Sequence, residues 1–221
     1  MDLLQALLQR HSVRQYIEKP LSQEIISLLT EEIKLCNAQS GLHMQLVANE
    51  PKAFDCIMAH YGRFWGVTNY IAVIGRKSPN LDEICGYFGE HLVLRAQQLG
   101  LNTCWVALTY NKIPDAFQIA PGEKLVAVIA LGYGATQGSI RKSKAPQYVS
   151  NIDENSPDWF RKGVAAALLA PTALNQQKFY LHYEDGVVYA QAKLGFYTKV
   201  DLGIVKYHFE VGAGTKNFTW E

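Results

Sequence analysis

One pattern occurs twice in this chain, and it limits the fold more than any single motif. Gly86-x4-His91-x4-Ala96 recurs as Gly203-x4-His208-x4-Ala213. Each copy is followed by Asn-x-x-Trp, first Asn102 to Trp105 and then Asn217 to Trp220. A third echo precedes them: Ser40-Gly41-Leu42-His43-Met44-Gln45 lines up with Thr172-Ala173-Leu174-Asn175-Gln176-Gln177. Each of these loops follows an amphipathic helix and precedes a strand. Three echoes in the same order argue for two related halves, although the halves are too unequal for a solenoid. The expectation is a pseudo-twofold, one chain imitating a dimer, with a site where the halves meet. His91 and His208 are then read as packed helix residues rather than catalytic ones.

Periodicity supplies the elements. Leu3, Leu4, Leu7 and Leu8 predict a helix over 2–9, and Ser22 caps a second helix that carries Ile25, Leu29 and Ile33. The polar run 36–43 reads as a loop, 44–48 as a strand, 51–61 as a helix, and 62–66 as a loop with exposed side chains. The continuous apolar runs Asn69–Gly75 and Lys124–Gly132 read as strands buried on both faces. Between them a long helix over 82–99 ends at Gly100. After a basic connector come a helix over 157–169, a hairpin turning on Glu184-Asp185-Gly186, and a helix over 201–213. This is an α+β chain, organised as a first half over 1–135, a connector over 136–155 and a second half over 156–221, in one compact unit.

The totals exclude several classes. A net charge of +1 points to neither nucleic acid nor an anionic membrane as partner. No apolar run approaches the ~20 residues of a membrane helix. Four scattered cysteines without a CxxC pair, and histidines without an HExxH, argue against a metal site and fit a reducing cytoplasm. The start, MDLLQALLQRHS, does not read as a signal peptide.

The chemistry begins at Arg10-His11-Ser12-Val13-Arg14. Two arginine forks and a hydroxyl over five residues, directly after a helix, suit one phosphate monoester. A solvated charge cluster is the plainer alternative.

With Arg10–Arg14, three further stretches resemble the flavin-dependent nitroreductases. They are Ala170-Pro171-Thr172-Ala173-Leu174-Asn175-Gln176-Gln177, Leu99-Gly100-Leu101-Asn102-Thr103-Cys104-Trp105 and Ala130-Leu131-Gly132-Tyr133-Gly134. The chain is most similar to their short single-chain, pseudo-dimeric branch. The resemblance implies the nitroreductase-like fold and one FMN per chain, because the early loop 40–45 has diverged and the late one has kept the pattern. By position, Arg10, His11, Ser12 and Arg14 would hold the FMN phosphate and ribityl chain, with Arg141 or Lys144 completing the pocket. Thr172 and Asn175 would reach the flavin from the second half. Trp105, Val106 and Ala107 would run beside the ring, with the Ala107 N–H near N5. Arg63, or Asn69, would reach the pyrimidine edge, and Phe64 and Tyr110 would line the substrate side or merely cover the core. Trp105 and Trp220 fit core aromatics better than substrate platforms. No side chain is required as a catalyst and no metal is expected.

The resemblance further implies NADH or NADPH as co-substrate and ping-pong reduction of a nitroaromatic, quinone or similar acceptor, by a monomer or a homodimer. The alternatives are a flavin-binding or regulatory protein without turnover, and a different flavin reaction on the same fold. Asn102 and Leu108 stand where the family pattern has glycine, and both would narrow the space over the ring.

Overall fold

The computed structural model describes residues 1–221. In chain order the elements are α1 (Leu3–Gln9), α2 (Gln23–Ser40), β1 (Gln45–Val47), α3 (Ile57–Tyr61), β2 (Asn69–Arg76), α4 (Leu81–Gln98), β3 (Asn102–Val106), β4 (Glu123–Gly132), α5 (Asp158–Ala167), β5 (Phe179–Glu184), β6 (Val187–Ala192), α6 (Thr198–Ala213) and β7 (Thr219–Trp220). They group into two units. One comprises Met1–Leu8, Asp82–His91 and Arg141–Glu221, the other Gln9–Leu81 and Leu92–Ile140. The division does not follow the chain as a cut at 135 and 155 would, because α1 and much of α4 group with the C-terminal segment.

The unit of Gln9–Leu81 and Leu92–Ile140 is built on a four-stranded sheet of order β1-β2-β4-β3, antiparallel throughout. An antiparallel sheet commonly leaves one face wet and alternates along its strands. Here Tyr70 to Ile74 and Val128 to Ala130 have no exposed surface, so both faces of the central pair are covered and the runs lose their alternation. Gly100, with φ 78°, closes α4: its amide reaches the Gln97 carbonyl and that of Leu101 reaches Ala96, the doubled bond of a Schellman end.

Two local expectations change. The polar run 36–43 does not leave the helix: α2 continues to Ser40 and ends at Gly41 in the left-handed region. Ser40 Oγ donates to the Cys36 carbonyl at 2.6 Å, so the polar side chain is satisfied on the helix itself. The helix expected over 51–61 shrinks to Ile57–Tyr61, because the Glu50 carboxylate accepts from the Lys52 and Ala53 amides and starts a turn instead.

In the unit containing the C-terminal segment, β5 and β6 form a hairpin, and β7 joins β6 in parallel. The turn residues Asp185 and Gly186 both take positive φ, as a two-residue hairpin loop asks. The repeated sequence explains how α4 and α6 meet. A Cβ on Gly86 would run into the Val200 carbonyl oxygen, and a Cβ on Gly203 into that of Glu83. Each glycine faces the carbonyl three residues before its counterpart. The polar pairs repeat the relation: His208 Nε2 lies 2.8 Å from Glu90 Oε1, and Tyr207 Oη lies 3.0 Å from His91 Nδ1. Reciprocal contacts of this kind are what a local twofold axis produces. They also put both histidines in the helix contact, as the matched spacing predicts.

Candidate functional site

The arginine cluster leaves α1 as an extended strap. Ser12 bridges Thr103 of β3, Gln15 bridges Trp65, and Tyr16 bridges Gly134. Its side chains differ in burial. Arg10 is 2% exposed and Val13 1%, whereas Arg14 is exposed and carries its guanidinium over the Phe64 ring at 5.8 Å. The Ser12 side chain bonds the Cys104 thiol. Burial pushes that thiol above its ordinary value, while Arg14, Arg10 and the Ser12 bond pull the other way. Two cations and a hydroxyl therefore all act on the Cys104 thiol of β3. That donor set suits a phosphate dianion.

Asn102 is tied to the loop after β4. It is 5% exposed; its Oδ1 accepts from the Gly134 amide at 3.0 Å and its Nδ2 donates to Gln137 Oε1 at 3.1 Å. The loop it holds crosses the strap at Gly138, where a Cβ would stand 2.6 Å from His11 Cβ. A glycine at position 102 would leave that loop untied.

The second cluster lies on 141–144 and 172–177. Gln177, 3% exposed, is its hub. Its Oε1 accepts from the Lys144 amide at 2.8 Å, and its Nε2 donates to the Lys142 carbonyl and to Asn175 Oδ1, each at 3.0 Å. Asn175 Nδ2 donates to the Lys142 carbonyl at 2.9 Å. Lys144 Nζ donates to the Gln176 and Gln177 carbonyls at 2.8 and 3.0 Å, so its ammonium clamps this loop. Thr172 Oγ1 accepts from the Gln177 amide at 3.0 Å. Three residues of this loop, Leu174, Asn175 and Gln177, have φ between 46° and 53°, a region costly for side chains and tolerated best by Asn. Leu174 is nevertheless 92% exposed.

Of the substrate-side candidates, Phe64 is a correction: it is 2% exposed and packs tilted against Phe54 in the core, ring centroids 5.4 Å apart, so the loop 62–66 does not present it. Tyr110 is half-buried and stacks on Phe54, with ring centroids 6.0 Å apart. Arg63 is exposed with φ 64°, and Asn69 is committed to the Asn49 amide and to Thr68 Oγ1. The exposed aromatic in this stretch is Trp65, 52% accessible and stacked on His60 at 4.1 Å. Its place after Phe64 gave the sequence no way to choose between them; the strap pairing with Gln15 decides it. Trp105 is half-buried, Val106 is buried and Ala107 half-buried, followed by Leu108 at 62% exposure. Thr109 abuts Gly62, which brings α3 against the segment after β3. An open depression of about 510 Å³ is lined by His43, Asp115, Phe117, Gln118, Ile119 and Ala120. At its edge His43 pairs with Glu123, which also accepts from the Ala120 amide.

Residues 2–213 match the model of the family described as Putative TM nitroreductase. Among solved structures, a nitroreductase-like protein of Thermotoga maritima is 23% identical, with a TM-score of 0.70 over 96% of this chain and 83% of that one. An NADH dehydrogenase/NAD(P)H nitroreductase homologue from Parabacteroides distasonis is also 23% identical, with a TM-score of 0.52 over 70% of this chain and 98% of the other. A nitroreductase homologue from Desulfovibrio desulfuricans, solved in complex with FMN, is 20% identical, with a TM-score of 0.52 over 71% and 99%. These likenesses show the nitroreductase-like α+β fold. No curated protein matches the sequence. No helix is long and apolar enough to cross a membrane.

Proposed function

The chain belongs to the Putative TM nitroreductase family, and on that premise we propose that it is an FMN-dependent oxidoreductase that uses NADH or NADPH to reduce small electron acceptors. The observation that carries the reading is the strap: Arg10, Ser12 and Arg14 all act on the Cys104 thiol of β3, on a scaffold of this family. The fit to a flavin mononucleotide rests on that donor set, which matches a phosphate dianion. It is supported by the Desulfovibrio relative, whose structure holds FMN.

Arg10, His11, Ser12 and Arg14 would hold the phosphate and ribityl chain, and Arg141 would add a further cation. Thr172 and Asn175 would contribute from the strained loop, with Lys144 holding that loop rather than the phosphate. FMN supplies hydride chemistry when bound, and the protein supplies position and electrostatics. The backbone at Val106 and Ala107 would border the ring, and the Ala107 N–H would donate to it. Trp65 and Leu108 would shield the acceptor side from water, with Arg63 and Tyr110 at its margin. A nitroaromatic or quinone would take the place vacated by the nicotinamide. The reciprocal α4–α6 contact supports a pseudo-dimer in one chain, in which one of two ancestral sites was kept.

The test is the visible spectrum of the purified protein with FMN, followed anaerobically after NADH or NADPH. Bleaching of a bound flavin band at turnover rates is expected. A bound flavin that neither nicotinamide reduces would turn the reading to a binding protein. Arg14 is the cleaner residue to remove, because Arg10 is buried. Arg14→Ala is expected to weaken FMN binding by about thirtyfold, a charge-assisted bond of about 2 kcal/mol, with little change in melting temperature. Titration of FMN fluorescence checks it, and an unchanged Kd would remove the strap from the site.

A further inference from the structure

Asp201 sits in the first turn of α6 and is 3% exposed. Its two oxygens are spent on the loop. Oδ1 accepts from the Ala173 amide at 2.8 Å, and Oδ2 accepts from Gln176 Nε2 at 2.8 Å. The two donors flank Leu174 and Asn175, the pair in the left-handed region. Neither of those side chains is buried, so packing does not impose the conformation. A conformation that costs free energy at several residues persists only where its surroundings over-determine it. Here Gln177 holds the loop from the side of 142–144, and Asp201 holds it from α6.

We propose that Asp201 is a positioning residue for the cofactor loop: its carboxylate fixes the 173–176 turn that presents Asn175, and cofactor retention depends on Asp201 being ionised. The proposal rests on the flavin reading above.

Of the groups in this clasp, Asp201 is the carboxylate. Burial raises its pKa to about 6, and the Ala173 and Gln176 bonds pull it down. Because those bonds favour the ionised form, protonation must weaken them by the same amount. The charged neighbours are otherwise engaged. Lys144 donates to the Gln176 and Gln177 carbonyls, and the Lys178 stem lies beside Gly195. From α4, Glu83 pairs with Lys206; on α5, Asp158 pairs with Lys162; Lys199 on α6 is exposed. No charged side chain is among the causes of the shift.

The sign for the fold is opposite to the sign for the loop. Between its ordinary value of 3.8 and about 6, the folded state holds a proton on Asp201 that the unfolded chain has lost. Its contribution therefore falls as pH rises through that window and is flat above it. Replacing the carboxylate by a carboxamide removes a buried charge and one acceptor.

The experiment is the FMN Kd of wild type and Asp201→Asn at pH about 7.5 and about 5, with melting temperatures alongside. The ratio of the two Kd values cancels the titration of the cofactor's own phosphate, whose second pKa is about 6. Asp201→Asn is expected to bind about tenfold more weakly at the higher pH and about equally at the lower, with a melting temperature at or above wild type. A merely structural aspartate would lower stability and affinity together. Equal Kd values at both pH values, or a ratio that ignores pH, would overturn the proposal. Gln176→Met, which keeps the carboxylate and removes the bonds of Gln176 Nε2 to Asp201 and to the Phe196 carbonyl, gives a second test: an FMN Kd raised about threefold at pH about 7.5 is expected, and a wild-type Kd would overturn the clasp. Wild type that takes up no FMN would instead remove the flavin reading itself.

Discussion

The repeated loops have diverged while the repeated helices still pack as twins. Loop 40–45 is satisfied from within its own surroundings. Gly41 takes the only positive φ, Asn37 bonds both the amide and the carbonyl of Met44 at 2.9 Å, and Gln45 bonds both backbone groups of Gln118. Loop 172–177 has the same glutamine at its end, bonding backbone groups of Lys142 and Lys144, but it holds three non-glycine residues at positive φ. On the proposed flavin reading, strain kept at Asn175 and its neighbours, and clasped from two sides, is what a presenting loop would need. The helices behave differently because a glycine against a backbone carbonyl leaves no room to drift.

The helix twins give the largest expected effect. Gly86→Ala and Gly203→Ala each force a methyl into a facing carbonyl, Val200 or Glu83, so each is expected to cost about 3 kcal/mol or more and by similar amounts. Chemical denaturation would read both; a cost at one glycine and none at the other would break the reciprocal relation. The glutamines come next, and they are expected to part. Gln177→Ala removes the buried hub and is expected to cost about 2 kcal/mol with weaker FMN binding. Gln45→Ala, at a more accessible pair, is expected to cost about 0.5 kcal/mol and leave FMN binding alone. Equal losses of FMN affinity would make the first loop a functional partner of the second.

Most of this architecture is local enough to read from sequence. The Ser22 cap, the buried runs of β2 and β4, the Asp185-Gly186 turn and Gly100 each follow from spacing or backbone chemistry within a few residues. What escaped depends on which partner each side chain finds once the chain is folded. The polar end of α2 looks like a loop until Ser40 and Asn37 are seen to find their bonds on the helix and at Met44. Phe64 and Trp65 are adjacent aromatics, and only pairing with the strap turns one inward and the other out. The bonds of Asn102 to Gly134 and Gln137 had no signal in the sequence. Asp201 carried no signal at all, since its partners precede it by more than twenty residues. The strap and the loop were legible because the resemblance names them; their strain and clasping were not.

The smallest effect tests the strain itself. Leu174 is 92% exposed and has φ 52°, so its side chain contributes no packing that its removal would forfeit. A left-handed leucine costs about 1–2 kcal/mol, and glycine repays part of the relief by its greater freedom in the unfolded chain. Leu174→Gly is therefore expected to stabilise the protein by about 0.5 kcal/mol. In the other loop Gly41 has φ 72° and open space around it, so Gly41→Ala is expected to destabilise by about 1 kcal/mol through backbone strain alone. Opposite signs in thermal denaturation would place the strain in loop 172–177 and nowhere in its echo. If Leu174→Gly destabilised the protein, leucine would be holding the turn rather than enduring it, and the presenting conformation would owe its persistence to Leu174 as well as to Asp201 and Gln177.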